Sequence, residues 1–311
     1  MSLPPGWDKA LTTPVIAAPM FLVSCPDLVV AACEAGVIGT FPALNQRETA
    51  AYEAWLDEIE TRLAGKSHAP FGVNLSVRRG NPRLDADIAM TIKHKVPLVI
   101  TSLGAAKDVV DAVHAYGGLV FHDVINIRHA HKAAEAGVDG LIAVCAGAGG
   151  HGGNLSPFAF VAELREFFDK TIILSGAITN GRQIAAARLL GADMAAIGTR
   201  FIATAESAAT QEQKDLVLAA HAADIVYTPH MTGVNANFMT QRLTQFGLDP
   251  LDLASAPIDR ATRTLRFEDR EVKVWRDLWS AGQGVGAIHD IPTVAALCAR
   301  LSAEYAAALV R

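Results

Sequence analysis

The sequence predicts a (β/α)8 barrel, and three observations support that prediction. Its composition is 51% hydrophobic and 19% charged, which is typical of a globular protein with a large core. Short apolar runs alternate with Ala-rich helical segments along the amino-terminal two thirds of the chain. Eight such runs occur, near residues 15, 38, 73, 100, 120, 141, 173 and 196. Their number and regular spacing favour a closed barrel over the alternative, a doubly wound open sheet.

The eight predicted strands cover residues 13–18, 37–40, 71–75, 98–101, 119–122, 138–144, 171–174 and 194–197. The predicted helices between them cover residues 27–35, 49–64, 83–94, 107–116, 127–136, 157–168 and 181–190. Asp27 is a candidate N-cap of the first helix, and Gly36 is its C-terminal stop. In the second helix, apolar residues at helical spacing are predicted to face the core: Ala50, Ala54, Ile59 and Leu63.

The regular alternation ends after Arg200. Residues 201–223 are predicted to be helical, 226–238 to be a polar loop, and 293–309 to be an amphipathic helix, with the most charged segment at 260–273. We therefore expect residues 1–205 to form the barrel and residues 206–287 to form a lid or second domain inserted after strand eight. The C-terminal helix, within residues 288–311, is expected to return and complete the barrel.

Bulk properties exclude several classes of function. The formal net charge is −5 and no basic block occurs, so nucleic acid is not an expected partner. No apolar run reaches membrane-spanning length, so no membrane association is expected. No secretory signal is visible, and four scattered cysteines indicate reduced thiols, so the protein is expected to be cytoplasmic. It is also expected to be a monomer or a homodimer. His129 and His131 are two residues apart and share no helix face, so no metal site is predicted.

A Gly-rich stretch follows the sixth strand. Within residues 143–157, five glycines surround His151: Gly147, Gly149, Gly150, Gly152 and Gly153. Such a loop suits a close approach to its backbone, and His151 can exchange a proton near neutral pH. The alternative is a Gly-rich connection that carries an incidental histidine.

In a (β/α)8 barrel the chemistry lies at the carboxyl ends of the strands. Strands seven and eight end in Ser175-Gly176-Ala177 and Gly198-Thr199, which together favour a phosphate site, although each glycine alone could mark a tight turn. Asn74 and His122 end strands three and five, and each could contact a flat ring or serve only as a strand-end polar residue. A phosphate site beside a Gly-rich loop fits FMN as the cofactor.

Several motifs resemble the nitronate monooxygenase family, formerly called 2-nitropropane dioxygenase. They are Ala-Gly-Gly-His-Gly-Gly at 148–153, Leu-Ser-Gly-Ala at 174–177 and Ile-Gly-Thr-Arg-Phe at 197–201, together with Phe-Gly-Val-Asn-Leu at 71–75 and Ser-Ala-Gly-Gln-Gly at 280–284. The resemblance covers nearly the whole chain. It implies a TIM barrel with non-covalent FMN and a lid after strand eight.

The resemblance also assigns residues. It implies that His151 is the catalytic base and that the following residues bind FMN: Met20, Asn74, His122, Gly149, Gly150, Ser175, Gly176, Ala177, Gly198 and Thr199. Gln283 is expected to reach the site from the lid. Tyr227 and His230 are candidates for lining the substrate pocket, with an ordinary surface loop as the alternative. Some relatives have Lys at the position of His122 and Asp at that of Val144, so the flavin contacts are expected to differ there.

The family's activity implies an enzyme that oxidises alkyl nitronates, and nitroalkanes, with O2 to carbonyl compounds and nitrite. An alternative is an NAD(P)H-dependent FMN reductase that acts on quinones or enoyl thioesters, because other relatives have that activity. A sugar-phosphate aldolase or isomerase would need a Lys or Glu at a strand end, and none was found at these ends. A non-catalytic flavin-binding protein is the remaining alternative.

Overall fold

Eight parallel strands close into a barrel in the computed structural model, which describes residues 3–78, 80–104, 107–256, 258–259, 262, 264–267 and 270–310. The strands are β1 (Val15–Ala17), β2 (Ile38–Pro42), β3 (Phe71–Ser76), β4 (Leu98–Ser102), β5 (Leu119–Val124), β6 (Gly140–Val144), β7 (Thr171–Ser175) and β8 (Met194–Ile197). Each pairs with the next, and β8 pairs with β1. The predicted (β/α)8 barrel is therefore confirmed.

The helices between the strands lie within a few residues of their predicted bounds. They span Pro26–Glu34, Thr49–Leu63, Leu84–Lys93, Lys107–His114, Ile127–Glu135, Pro157–Arg165 and Gly181–Leu189. Cys25, and not Asp27, occupies the N-cap position of the first, since Pro26 already starts the helix. In the second helix, Ala50 and Ala54 are exposed, whereas Ile59 and Leu63 are buried together with Tyr52 and Leu56.

The predicted helix over residues 201–223 is interrupted. Helices span Thr199–Ile202 and Gln211–Ala219, and hydroxyl groups occupy the break. Thr204 Oγ1 donates to the carbonyl of Phe201 (2.8 Å), and Ser207 Oγ donates to that of Ile202 (2.6 Å). The two hydroxyl groups occupy carbonyl oxygens that would accept from backbone N–H groups if the helix continued. The helix therefore ends here.

Side chains alternate between two apolar layers along each strand. Inside the barrel, large residues form one cluster, among them Ile16, Ile100, Phe121, Ile142 and Ile173. The other face packs against the surrounding helices in a larger cluster. Trp7, on the short helix Trp7–Ala10, contacts Phe121 with ring centroids 5.6 Å apart. The inner cluster therefore fills the interior of the barrel, and polar inward-facing residues lie at the carboxyl ends of the strands.

The chain after β8 forms two small antiparallel sheets. Ile225–Thr228 and Ala236–Met239 form a hairpin at the segment 226–238 that the sequence predicts to be a loop, and Gly150–His151 adds to it as a third strand. The second sheet contains Ile258–Asp259, Thr264–Phe267 and Arg270–Lys273, but residues 260, 261, 263, 268 and 269 of the charged segment lie outside the described residues.

The rest of this part is helical or irregular, with short helices at Thr240–Gln245 and Gln283–Ala287. The last helix, Val294–Leu309, returns to the barrel and packs against Gly181–Leu189 and Pro26–Glu34. The division into a barrel and a lid at residues 206–287 stays a prediction. Among the described residues, no helix combines the length and apolar character needed to cross a membrane.

Candidate active site

A cavity of about 1280 Å³ lies at the carboxyl ends of the strands. That volume is large enough for a cofactor and a small substrate together, because pockets for single ligands usually hold ~300–1,000 Å³. Residues at the inward-facing positions of the strand ends line it: Met20, Asn74, Ser102, Asp123, Val144, Ser175 and Gly198. Every residue predicted to bind FMN also borders this cavity, as does His151.

Asn74 is held by the neighbouring strand. Its amide nitrogen Nδ2 donates to the carbonyl of Ile100 (3.2 Å) and to Ser102 Oγ (3.3 Å). These bonds fix the orientation of the side chain, so the amide oxygen Oδ1 is the atom that can accept a hydrogen bond from a ring N–H in the cavity.

The loops after β7 and β8 present unused backbone donors. Among the described residues, no hydrogen bond engages the backbone N–H groups of Gly176, Ala177, Gly198 or Thr199. Gly176 has φ 142°, and a Cβ there would lie 2.9 Å from the carbonyl oxygen of Ala146, so only glycine fits. Ala177 adopts a left-handed conformation (φ 52°), which is strained for a residue with a Cβ. Unpaired donors on adjacent strand ends fit the phosphate group of a flavin nucleotide.

His122 and Asp123 occupy opposite faces of β5. His122 follows the inward-facing Phe121, and its Nδ1 lies 2.7 Å from Thr101 Oγ1 behind the strand. Burial, with His129 nearby, lowers the pKa of His122 to about 4, so its ring is neutral. Asp123 faces inward and borders the cavity, where burial raises the pKa of its carboxyl group to about 7. Asp123 thus offers the cavity a carboxyl that is protonated below neutral pH.

His151 lies on the short strand Gly150–His151, between the cavity and the hairpin. Its Nε2 lies 3.3 Å from Thr232 Oγ1, and Thr232 donates its own hydroxyl hydrogen to the carbonyl of Val234 (2.8 Å). Thr232 Oγ1 therefore offers an acceptor to an N–H at Nε2, and a neutral ring with its hydrogen there has its lone pair on Nδ1. The ring also packs edge-on against Trp275, with centroids 5.0 Å apart.

Two segments from beyond β8 hold the Gly-rich loop in place. Ser280 Oγ accepts from the N–H of Gly150 (2.6 Å) and donates to the carbonyl of Asn237 (2.6 Å). The amide of Asn237 donates to the carbonyl of Ala148 (2.6 Å). A Cβ on Gly149 would lie 3.0 Å from the backbone nitrogen of Gly282. The backbone of a segment beyond β8 therefore comes close to the Gly-rich loop. This contact explains part of the loop's glycine content, for which the sequence analysis proposed a ligand.

The three predicted substrate residues do not border the cavity. Tyr227 donates from its hydroxyl to the carbonyl of Gly152 (2.9 Å), and thus supports the Gly-rich loop from outside. The backbone N–H of His230 donates to Thr228 Oγ1 (3.1 Å) on the hairpin. Gln283 reaches the same loop through its backbone, whose N–H donates to the carbonyl of Gly147 (2.9 Å).

Sequence reasoning places Asp123 at the end of strand five but assigns it no role, and it misses Ser102, Thr232 and Trp275. Strand alternation was the available signal for Asp123, because positions 121 and 123 share a face. Nothing local points to Thr232 or Trp275, since each meets His151 only through the tertiary fold.

Inward polar residues, backbone donors and an oriented histidine share one cavity at the carboxyl ends of the strands. This arrangement is typical of the active site of a (β/α)8-barrel enzyme. Residues 77–304 match the nitronate monooxygenase family. The chain belongs to this family and is a flavin-dependent oxidoreductase.

Individual relatives agree with the family assignment. The nitronate monooxygenase of Paraburkholderia phytofirmans is 27% identical over 79% of this chain and 77% of that protein. A (3aS,4S,5R,7aS)-5-hydroxy-7a-methyl-1-oxo-octahydro-1H-indene-4-carboxyl-CoA dehydrogenase of Rhodococcus jostii is 27% identical over 71% of this chain, but the match spans only 61% of that protein. A relative from Mycobacterium tuberculosis is 33% identical over 56% of this chain and 46% of its own length.

Solved structures show the same fold. The nitroalkane oxidase from Streptomyces ansochromogenes superimposes with a TM-score of 0.80 at 25% identity, covering 97% of this chain and 98% of that one. FabK from Thermotoga maritima also gives a TM-score of 0.80, at 24% identity, over 96% of this chain and 94% of that one.

Proposed function

We propose that the protein uses FMN to oxidise alkyl nitronates, and nitroalkanes after their deprotonation, with O2 to carbonyl compounds and nitrite. The observation that supports this most is that His151, in contact with Thr232, borders the same cavity as the backbone donors of the loops after β7 and β8. The family assignment and the similarity to a nitroalkane oxidase agree with it.

The chain's own groups would hold the cofactor. The backbone N–H groups of Gly176, Ala177, Gly198 and Thr199 suit its phosphate, and Asn74 Oδ1 suits a ring N–H. When bound, FMN supplies the redox chemistry between the organic substrate and O2.

His151 would act on the substrate proton. A neutral nitroalkane loses its α-proton to Nδ1 of His151, while Nε2–H remains bonded to Thr232, whose hydroxyl orients the ring. A nitronate has already lost that proton, so it needs only to be positioned. The near-perpendicular contact with Trp275 limits rotation of the imidazole ring.

The test compares both substrates in a His151→Asn variant. Loss of a general base typically costs ~10²–10⁴-fold, so turnover of neutral nitroalkanes is expected to fall by that factor and that of nitronates by much less. The flavin absorbance of the purified variant should stay at the wild-type level. His230→Asn is the control, because His230 lies outside the cavity. Full activity of His151→Asn on both substrates would show that the base is another group.

A second candidate is a reductase that takes an enoyl thioester or quinone with NAD(P)H. The supporting observation is that Arg78 and Lys132 are among the residues that line the cavity, because their positive charges suit an anionic carrier such as coenzyme A. A relative named as a carboxyl-CoA dehydrogenase fits this reading. Anaerobic mixing with NADH or NADPH separates the candidates, because rapid bleaching of the flavin supports the reductase and no bleaching supports the monooxygenase.

A further inference from the structure

The helices Thr49–Leu63 and Leu84–Lys93 meet along a polar seam on the outside of the barrel. Thr49 Oγ1 donates to Asp87 Oδ1 (3.1 Å), and Tyr52 and Thr91 share a buried hydrogen bond (2.8 Å). Lys93 pairs with Glu53 further along. Most helix pairs bury apolar residues at such a contact, so this seam depends on correctly paired polar groups.

His94 lies at the end of this seam, directly after the helix Leu84–Lys93. Its side chain is only 6% exposed, and Nδ1 lies 3.1 Å from Glu60 Oε2. Nε2 is buried and has no hydrogen-bond partner among the residues that the structure describes. Its nearest oxygens are Glu53 Oε1 at 3.9 Å and Asp57 Oδ1 at 4.0 Å. Carboxylate oxygens of Asp57 and Glu60 and a ring nitrogen of His94 all lie within 4.8 Å of one another.

The spacing of these groups follows from the two helices. Glu53, Asp57 and Glu60 are at positions i, i+4 and i+7, which place them on one face of their helix. His94 is the C-cap of the other helix, and the next residue, Lys95, has a positive φ of 46°. The helix end therefore fixes the backbone of His94 opposite the row of carboxylates.

The distances fit a shared cation better than a hydrogen bond. Glu60, when ionised, only accepts, so Nδ1 carries the ring hydrogen and Nε2 carries the lone pair. A separation of 3.9 or 4.0 Å exceeds the ~2.7–3.2 Å of an N–H···O bond. Two ligands of a tetrahedral zinc ion, each about 2.0–2.2 Å from it, are about 3.3–3.6 Å apart, so side-chain rotations that move the ligand atoms by roughly half an ångström would suffice.

We propose that Glu53, Asp57, Glu60 and His94 form a binding site for a divalent cation of the zinc class. Nε2 of His94 and the carboxylate of Asp57 are ligands, Glu53 is within reach as a third, and Glu60 orients the imidazole ring through Nδ1. A carboxylate bonded to the far nitrogen of a histidine ligand is the usual arrangement at protein zinc sites. Three carboxylates beside one lysine leave local negative charge that a cation would neutralise.

The site lies at the end of the barrel opposite the cavity, because His94 precedes the start of β4. In (β/α)8 barrels, that end contributes stability and the carboxyl end contributes chemistry. Zinc is therefore expected to raise the melting temperature without changing turnover.

Equilibrium dialysis of the chelator-treated, flavin-loaded protein against ZnCl2, with metal counted by mass spectrometry, tests the proposal. We expect one tightly held zinc per chain in the wild type and a rise in Tm of about 4 °C or more at a hundredfold excess over Kd. His94→Gln and Asp57→Asn should lose that zinc, and Glu60→Gln should weaken its binding by about 10–100-fold. His114→Gln is the matched control, because His114 also pairs with a carboxylate, Asp139, at 2.7 Å.

Asp57 is exposed, so Asp57→Asn leaves the fold intact and decides the result even if His94→Gln fails to fold. Unchanged zinc binding in Asp57→Asn, or no saturable binding by the wild type at micromolar zinc, would overturn the proposal. Glu53→Gln, measured in parallel, shows whether Glu53 is the third ligand.

Discussion

Asp123 and His122 are neighbours in sequence but face opposite sides of β5. Both border the cavity, but only Asp123 faces the barrel interior, whereas the ring of His122 bonds to Thr101 behind the strand. Because both residues are polar, no apolar pattern distinguishes their faces in the sequence. Asn74 and Ser175, which the sequence predicts at the site, both line the cavity, and Ser175 follows the inward-facing Ile173 on β7 by two residues. Their binding of a cofactor stays a prediction. Contacts between distant segments, such as Thr232 with His151, leave no local pattern to read.

Asp123 should make stability depend on pH. Burial raises its pKa from the ordinary 3.8 to about 7, so the folded protein keeps the proton between these values while the unfolded chain releases it. Stability is therefore expected to fall as the pH rises from about 4 to about 7 and to level off above that range. Asp123→Asn removes the titrating group, and urea unfolding should show it gaining stability over the wild type at pH 8 but much less at pH 5. A difference between the two proteins that is independent of pH would contradict this account.

Thr232 should affect catalysis through the orientation of His151. Thr232→Val removes the acceptor for Nε2–H, and the loss of one hydrogen bond of about 1 kcal/mol corresponds to roughly a fivefold to tenfold lower kcat on neutral nitroalkanes. Kinetics with nitroalkane and nitronate should show the effect on the first substrate and little on the second. Thr244→Val, at an exposed helical position, is the control. Equal losses on both substrates would indicate general disruption of the site.

At the scale of elements, the barrel was predictable and the part after it was less so. The eight strands are apolar runs of regular spacing, and helices between them end at glycines such as Gly36 and Gly137, both with positive φ. For residues 226–238 the sequence predicts a loop and not a hairpin, because the two strands are only four residues long and contain polar residues such as Asn237. Asn237 is buried because its amide bonds to the Gly-rich loop, a partner that the local sequence does not reveal.

Ser280 should stabilise the Gly-rich loop measurably. Ser280→Ala removes both of its hydrogen bonds and leaves the N–H of Gly150 without its acceptor, which is expected to cost about 1–3 kcal/mol. Denaturant unfolding measures that cost, and titration with FMN should show weaker binding. Ser255→Ala, at an exposed position, should stay within about 0.5 kcal/mol of the wild type. An equally small change in Ser280→Ala would mean that the loop holds its shape without this contact.

At the scale of the whole molecule, the last helix is locked onto the barrel by backbone contact. A Cβ on Gly181 would lie 2.3 Å from the backbone nitrogen of Tyr305 and 2.4 Å from the carbonyl oxygen of Leu301. The return of this helix was predicted from its amphipathic pattern, but its contact with Gly181 depends on packing between segments far apart in the chain.

Gly181→Ala should therefore loosen the whole fold. Because both contacted atoms are backbone, the last helix has to move away, and we expect a cost of about 1–3 kcal/mol in thermal or denaturant unfolding. Gly286→Ala is the matched control, since a Cβ there meets nothing closer than 3.7 Å. If the two variants are equally stable, the close packing of the last helix is not required for stability.

The pairing of Gly150–His151 with the hairpin has a consequence for recombination between homologues. The strand that carries His151 lies in the barrel part of the sequence. It is nevertheless hydrogen-bonded as the edge strand of a sheet whose other strands come some eighty residues later in the chain. A chimaera that exchanged only residues 206–287 for those of a relative would join a native histidine strand to a foreign partner strand. A chimaera intended to transfer substrate preference should therefore take the Gly-rich loop and the hairpin from the same parent.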